Sequence, residues 1–208
     1  MKRILHLISS IQGNESYSIK LGKAIVDKVI DTYPGSTIEE VNLNEVSIPH
    51  LSPVLLQAMF TPADGLTEET RASLRYSDEA VQQLMAADII VVGAPFYNFT
   101  IPSTLKAWID HVTRAGITFS YGENGPVGKV LGKKVYVAMA SGGVYSEGPM
   151  QAYDFAAPYL RSYFGFLGMT DLTVYRVEGI KIPGVKERAL EKALASIHID
   201  HEPVLLTA

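Results

Sequence analysis

The sequence predicts an α/β three-layer sandwich: a five-stranded parallel sheet, strand order 2-1-3-4-5, with helices on both faces. Three observations predict it. Short apolar runs alternate with helix-length amphipathic stretches five times over, and parallel sheets produce that pattern because each crossover takes a dozen or more residues and normally uses a helix. One run, IIVVG at 89–93, is apolar on both sides, as a strand covered by helices on both faces must be. The 208 residues, 47% hydrophobic and 19% charged, suffice for one core and suggest a single domain over 1–208.

The elements follow in order. Residues 3–9 form the first strand, closed by Ser9 and Ser10, and the helix after it carries Ile25, Val26, Val29 and Ile30 toward the Pro34-Gly35 stop. Residues 36–43 are the second strand. A helix over 68–87 aligns Leu74, Val81, Leu84 and Met85, and the third strand at 89–93 leads into a helix over 103–113. There Leu105, Trp108 and Val112 share a face, suited to the core or to a dimer contact. Residues 135–140 and 172–177 are the last two strands, followed by helices over 152–167 and 185–199. Two segments, 44–67 and 115–134, exceed ordinary connections and read as functional loops.

Composition removes several classes of function. Eighteen Lys+Arg against 22 Asp+Glu leave a net charge of -4, so no positive field draws nucleic acid or an anionic membrane. Cysteine is absent, which excludes thiolate nucleophiles, thiolate metal sites and disulfides, and leaves redox chemistry to a bound cofactor. No apolar run reaches the ~18 residues of a membrane span. The MKRILHLISS start is too short in its apolar part for a signal peptide, so a cytoplasmic protein is expected. His6, His50, His111, His198 and His201 show no HxH or HExxH spacing, and no metal site is expected. The chain also lacks GxGxxG, GxxxxGK[ST] and G-x-S-x-G.

Ligands of open parallel sheets bind outside the carboxyl ends of the strands, where the strand order reverses. After the first strand come Ser10, Ser16, Tyr17 and Ser18 at the start of a helix. They read either as a plain cap and solvated turn or as a cation-free phosphate cradle of hydroxyls and helix N–H groups. After the third strand, Pro95-Phe96-Tyr97-Asn98-Phe99 sets three aromatics and an amide between Pro95 and Pro102. After the fourth, Ala140-Ser141-Gly142-Gly143 lets backbone approach a flat ligand closely. Cradle, aromatic platform and glycine edge together fit flavin mononucleotide (FMN).

These segments, with A-G-I-T-F-S-Y at 115–121, E-N-G-P at 123–126, Gly148-Pro149 and Glu178-Gly179, resemble the bacterial FMN-dependent NADH:azoreductases, also called NADH:quinone oxidoreductases. The resemblance implies a flavodoxin-like homodimer with one tightly but non-covalently bound FMN per subunit and active sites at the interface. It further implies ping-pong turnover, in which NADH, or NADPH in its place, reduces the flavin and a quinone or azo compound reoxidises it. By motif, Ser10 and Ser16–Ser18 would hold the phosphate and ribityl chain, Phe96–Phe99 would line the ring, and Ala140–Gly143 would meet its pyrimidine edge. The chain departs from the family at Phe96, where Met is common, at Ala140-Ser141, where Ser-Arg is common, and at Tyr145, where His is common.

No catalytic acid is required, because the cofactor carries the chemistry. Asn98 is expected near flavin N5 and O4. Phe99, Tyr121, Tyr145 and Tyr163 are the expected substrate-binding aromatics, with Phe60 reaching across from a partner subunit; Tyr163 serves equally well as core filling. The alternative reading is a flavodoxin-type electron carrier that turns over nothing, and a flavin-free scaffold is the third.

Overall fold

The computed structural model describes residues 1–200. In chain order its elements are β1 (Arg3–Ile8), α1 (Tyr17–Thr32), β2 (Thr37–Asn42), α2 (Pro53–Phe60), α3 (Glu68–Ala86), β3 (Ile89–Pro95), α4 (Ser103–Val112), β4 (Phe119–Gly122), β5 (Gly125–Gly128), β6 (Lys134–Ala140), α5 (Ala156–Phe166), β7 (Asp171–Val177) and α6 (Lys186–Ala195). The main sheet is ordered β2-β1-β3-β6-β7 and every pairing in it is parallel. With the separate β4–β5 hairpin set aside, this is the arrangement 2-1-3-4-5 expected from the sequence.

Alternation along the strands sorts side chains into two cores. Leu5, Leu7, Ile90, Val92, Val135 and Val137 face α3, α4 and α5 and pack with Leu84, Trp108, Leu160 and Phe164. Ile4, Ile89, Val91, Tyr136 and Ala138 face α1 and α6 and pack with Leu21, Ile25, Val29, Ala189 and Ala193. Trp108 is fully buried, so of its two expected places it takes the core. Capping fixes the helix starts: the Ser16 hydroxyl accepts the Ile19 N–H at 3.4 Å, and Thr67 accepts the Thr70 N–H at 3.2 Å ahead of Glu68 and Glu69. Lys133 Nζ donates to the carbonyls of Met85 (2.9 Å) and Ala87, closing α3.

Three expectations are corrected. Residues 44–67 are not all loop, because Ser52 and Pro53 start α2, the Ser52 hydroxyl accepting the Leu55 N–H at 3.2 Å, and Leu55 and Ala58 pack on Leu74 of α3. Residues 115–134 contain the β4–β5 hairpin, whose strands register through Gly122 and Gly125. A methyl group on Gly128 would lie 2.1 Å from the Leu167 carbonyl carbon, so only glycine lets the hairpin rest on the end of α5. Finally, α5 begins at Ala156 rather than 152: residues Pro149–Tyr153 form a 3₁₀ turn, and Asp154 Oδ1 accepts the Ala157 N–H at 3.1 Å. Among the described residues no helix is long and apolar enough to cross a membrane.

Candidate functional site

The carboxyl ends of β1, β3 and β6 are neighbours in the sheet, so the three loops singled out by sequence open on one side. Hydrogen bonds fasten them. The Ser9 hydroxyl donates to Gly93 O (2.6 Å), Asn44 Nδ2 donates to Ser10 O (3.0 Å), and the Phe96 N–H donates to Ala140 O (2.8 Å).

At the first loop Ser10, Ser16 and Ser18 are all buried, and the Ser16 and Ser18 hydroxyls lie 3.0 Å apart. Among the described residues no hydrogen bond uses the N–H of Tyr17 or Ser18, the first donors of α1. A helix start with free N–H groups beside buried hydroxyls suits an anion. Lys20, one turn on, is engaged with Glu15 (3.9 Å) and the face of Tyr17 (5.5 Å), so the cradle is built from neutral donors.

The second loop is a tight hairpin turn. Tyr97 and Thr100 exchange both backbone hydrogen bonds at 3.0 Å, and the two residues between them, Asn98 and Phe99, have φ of 48° and 70°. Positive φ at both central positions is the type I′ turn. Asn adopts it readily, whereas Phe is held there at a cost of roughly 1–2 kcal/mol. That strain lifts the Asn98 and Phe99 side chains into the open at the mouth of the sheet. A cleft of about 540 Å³, lined by Tyr97, Asn98, Thr100, Pro102, Lys106 and Tyr159, runs beside the turn.

In the third loop every carbonyl from Ser141 to Gly143 is tied to the segment after β7. The N–H groups of Gly179, Ile180 and Lys181 donate to Gly143 O, Ser141 O and Gly142 O at 3.0, 3.3 and 3.0 Å. Among the described residues no hydrogen bond uses the Gly142 or Gly143 N–H. The Ser141 N–H is not available for a ligand, since it donates to Val177 O (2.9 Å), and its hydroxyl donates to Gly143 O (2.8 Å). Donors are therefore offered by the two glycines.

Aromatic rings wall the mouth. Phe96 and Tyr145 lie 4.3 Å apart between centroids, Phe99 meets both edge-on at 6.5 and 6.4 Å, and Tyr153 covers Phe99 at 5.5 Å. The other sequence candidates stand elsewhere. Tyr121 is 75% exposed on the hairpin beside Phe119, and Phe60 is 66% exposed at the end of α2. Tyr163 is not brought to this mouth: its hydroxyl lies 3.0 Å from that of Thr113 and donates to Ile109 O at 3.2 Å, while its ring packs on the α4–α5 core. Burial pushes its phenol pKa up. His201 lies outside the described residues.

The flavodoxin-like fold family profile matches residues 2–199. The FMN-dependent NADH:quinone oxidoreductase of Ralstonia nicotianae is 48% identical over 198 residues, covering 94% of this chain and 95% of its own. This chain belongs to the FMN-dependent NADH:quinone oxidoreductase family. The member from Rhizobium etli is 43% identical across the full length of both chains. Among solved structures, an azoreductase from Bacillus anthracis str. Sterne superposes with a TM-score of 0.87 at 32% identity, covering 94% and 96% of the two chains. An FMN-dependent NADH-azoreductase from Bacillus anthracis str. Ames Ancestor, in complex with FMN, gives 0.84 at 30% identity, covering 94% and 95%.

Within this oxidoreductase chain, sequence reasoning missed three residues at the mouth: Asn44, which ties the chain just after β2 to Ser10; Tyr153, which covers Phe99; and Glu178, whose carboxylate accepts the Tyr145 and Ser146 N–H groups at 2.8 and 3.0 Å. The only advance signal was Glu178-Gly179 directly after a strand.

Proposed function

We propose that this chain is a single-domain FMN-dependent oxidoreductase that uses NADH to reduce quinones and azo compounds in two alternating half-reactions. The observation that carries this reading is one site where a neutral anion cradle, two free glycine N–H groups and an aromatic wall converge, in a chain 48% identical to a quinone oxidoreductase. The site fits FMN because the donors left over by the fold are those a phosphate and a pyrimidine edge would take up.

FMN, when bound, supplies the uptake and release of two electrons. The chain's residues do the rest. Ser10, Ser16, Tyr17 and Ser18 hold the phosphate end through hydroxyls and helix N–H groups. Pro95, Phe96, Tyr97, Asn98 and Phe99 would line the ring, and the exposed Asn98 would offer its amide as a hydrogen-bond partner there. Ala140 and Ser141 lead into Gly142 and Gly143, whose N–H groups would meet the pyrimidine edge and favour added negative charge there. Phe99 and Tyr145 would hold nicotinamide and then acceptor by offset stacking and exclude water, whereas Tyr121, on the hairpin beside Phe119, stands away from them. A homodimer would complete the site, since Phe60, exposed on α2, needs a partner surface. The protein works in the cytoplasm on small molecules, with neither nucleic acid nor membrane as partner.

Anaerobic stopped-flow of the FMN-loaded protein tests the reading. NADH in one mix should bleach the flavin absorbance, and a quinone in a second should restore it. A purified protein that takes up no FMN overturns the proposal, and one whose flavin no nicotinamide bleaches is the electron carrier instead.

A further inference from the structure

We infer that Glu178 is a positioning residue for the flavin: held by Arg176, it fixes the loop that carries Tyr145 and the glycine donors. Resting on the function proposed above, the inference starts from a chain of carboxylates and guanidinium beside the mouth. Glu178 leaves the end of β7 with a side chain only 12% exposed. Its Oε1 accepts the N–H groups of both Tyr145 (2.8 Å) and Ser146 (3.0 Å), and its Oε2 accepts the Ser146 hydroxyl. A carboxylate taking two adjacent N–H groups sets the direction of the backbone between them, and with it the ring of Tyr145 on Phe96.

Arg176 links this loop to the other wall. Its guanidinium bonds Glu178 Oε1 at 3.4 Å and Asp154 Oδ2 at 2.5 Å, while Asp154 Oδ1 caps α5 through the Ala157 N–H at 3.1 Å. Asp154 follows Tyr153, the ring that covers Phe99. Tyr145, held by Glu178, and Tyr153, next in the chain to Asp154, both meet Phe99, and the two carboxylates share one guanidinium. The shared cation compensates two nearly buried negative charges, and the loop N–H groups and the start of α5 supply the rest. The backbone ladder from Gly179–Lys181 to Ser141–Gly143 begins directly after Glu178, so one rim of the loop is held by the carboxylate and the other by the backbone that follows it, with the Gly142 and Gly143 N–H groups left unused by any hydrogen bond among the described residues.

The test uses apoprotein of the wild type, Glu178→Ala and Glu178→Gln, titrated with FMN by quenching of flavin fluorescence. Glu178→Ala is expected to weaken FMN roughly 10-fold, the upper worth of a hydrogen bond lost from an ordered loop. Glu178→Gln, whose amide oxygen still accepts both N–H groups, is expected to stay within about 2-fold of wild type on the same scale. The midpoint potential of bound FMN should fall in Glu178→Ala by about 30 mV for each tenfold by which the reduced form loses more affinity than the oxidised form. Hydrogen exchange at the Tyr145 and Ser146 amides, which needs no flavin, should quicken on the order of 10-fold in Glu178→Ala. If Glu178→Ala does not fold, Glu178→Asp, one methylene too short to reach both N–H groups, takes its place with the same expectations. Unchanged FMN affinity and unchanged exchange in the Ala or Asp variant overturn the inference. Equal losses in Gln and Ala overturn it too, since charge rather than position would then matter. A wild type that binds no FMN overturns the proposed function, while the exchange arm still decides the role of Glu178 in the loop.

Discussion

Replacing Phe99 should invert the usual ranking of alanine and glycine. At φ 70° any side chain with a Cβ is strained by roughly 1–2 kcal/mol, and only glycine is relieved of it. The Phe99 ring is 43% exposed. Removing it therefore forfeits about half of the roughly 1.5–3 kcal/mol that full burial of a phenylalanine contributes, or about 1–2 kcal/mol with its edge contacts included. Phe99→Ala loses the ring and keeps the strain, so it should destabilise by about 1–2 kcal/mol. Phe99→Gly loses the ring and the strain together; after the extra chain entropy of glycine it should lie within about 1 kcal/mol of wild type and above the alanine variant. Urea unfolding of the three apoproteins at one protein concentration measures this directly, and about 1 kcal/mol corresponds to roughly 2–4 °C in a thermal scan of a chain this size. An alanine variant as stable as glycine, or more so, would refute the claim that this turn stores backbone strain.

Two further outcomes follow from buried groups in and beside the sheet. His6 and His111 are both buried, and desolvation lowers the pKa of each below the ordinary 6.5, despite Glu40 beside His6 and the Pro49 carbonyl beside His111. The folded state thus prefers the neutral rings: their contribution is complete above pH 6.5 and is lost as pH falls below it. The urea midpoint should drop on acidification from neutrality, and His6→Gln with His111→Gln should flatten that slope; an unchanged slope would assign the acid sensitivity elsewhere. Gly22→Ala, ordinarily a gain in the middle of a helix, should instead destabilise by about 1–3 kcal/mol in thermal unfolding, because overpacking outweighs helix propensity. The added methyl would sit 2.7 Å from His6 Nε2 in a fully packed layer.

How much of this was legible in the sequence depends on whether the signal is local. The central strands were readable because burial on both faces writes an unbroken apolar run, and Ser16 because a cap announces itself one residue before its helix. The signals for α2 and the β4–β5 hairpin were also local, a Ser-Pro start and the Glu123-Asn124 turn set between Gly122 and Gly125, but they stood inside segments whose length argued for loops. The conformation of Phe99 was hidden, since its own propensity opposes it and only the sheet around it enforces it. Asp154, Arg176 and Glu178 belong together only because β7 and the start of α5 close the distance between them.

For aromatics, sequence identity leaves the role undecided, and the polar tip decides it. The Tyr163 hydroxyl finds Thr113 and the Ile109 carbonyl inside the protein, so the whole side chain is retained there. Among the described residues the Tyr145 hydroxyl takes no hydrogen bond while its backbone N–H is anchored by Glu178, which leaves a ring fixed at its base and free at its tip. A residue held that way can cover a flat ligand or yield to one without breaking a buried hydrogen bond. Tyr163 could do neither without stranding its hydroxyl, so substituting it should register as lost stability, and substituting Tyr145 as altered binding.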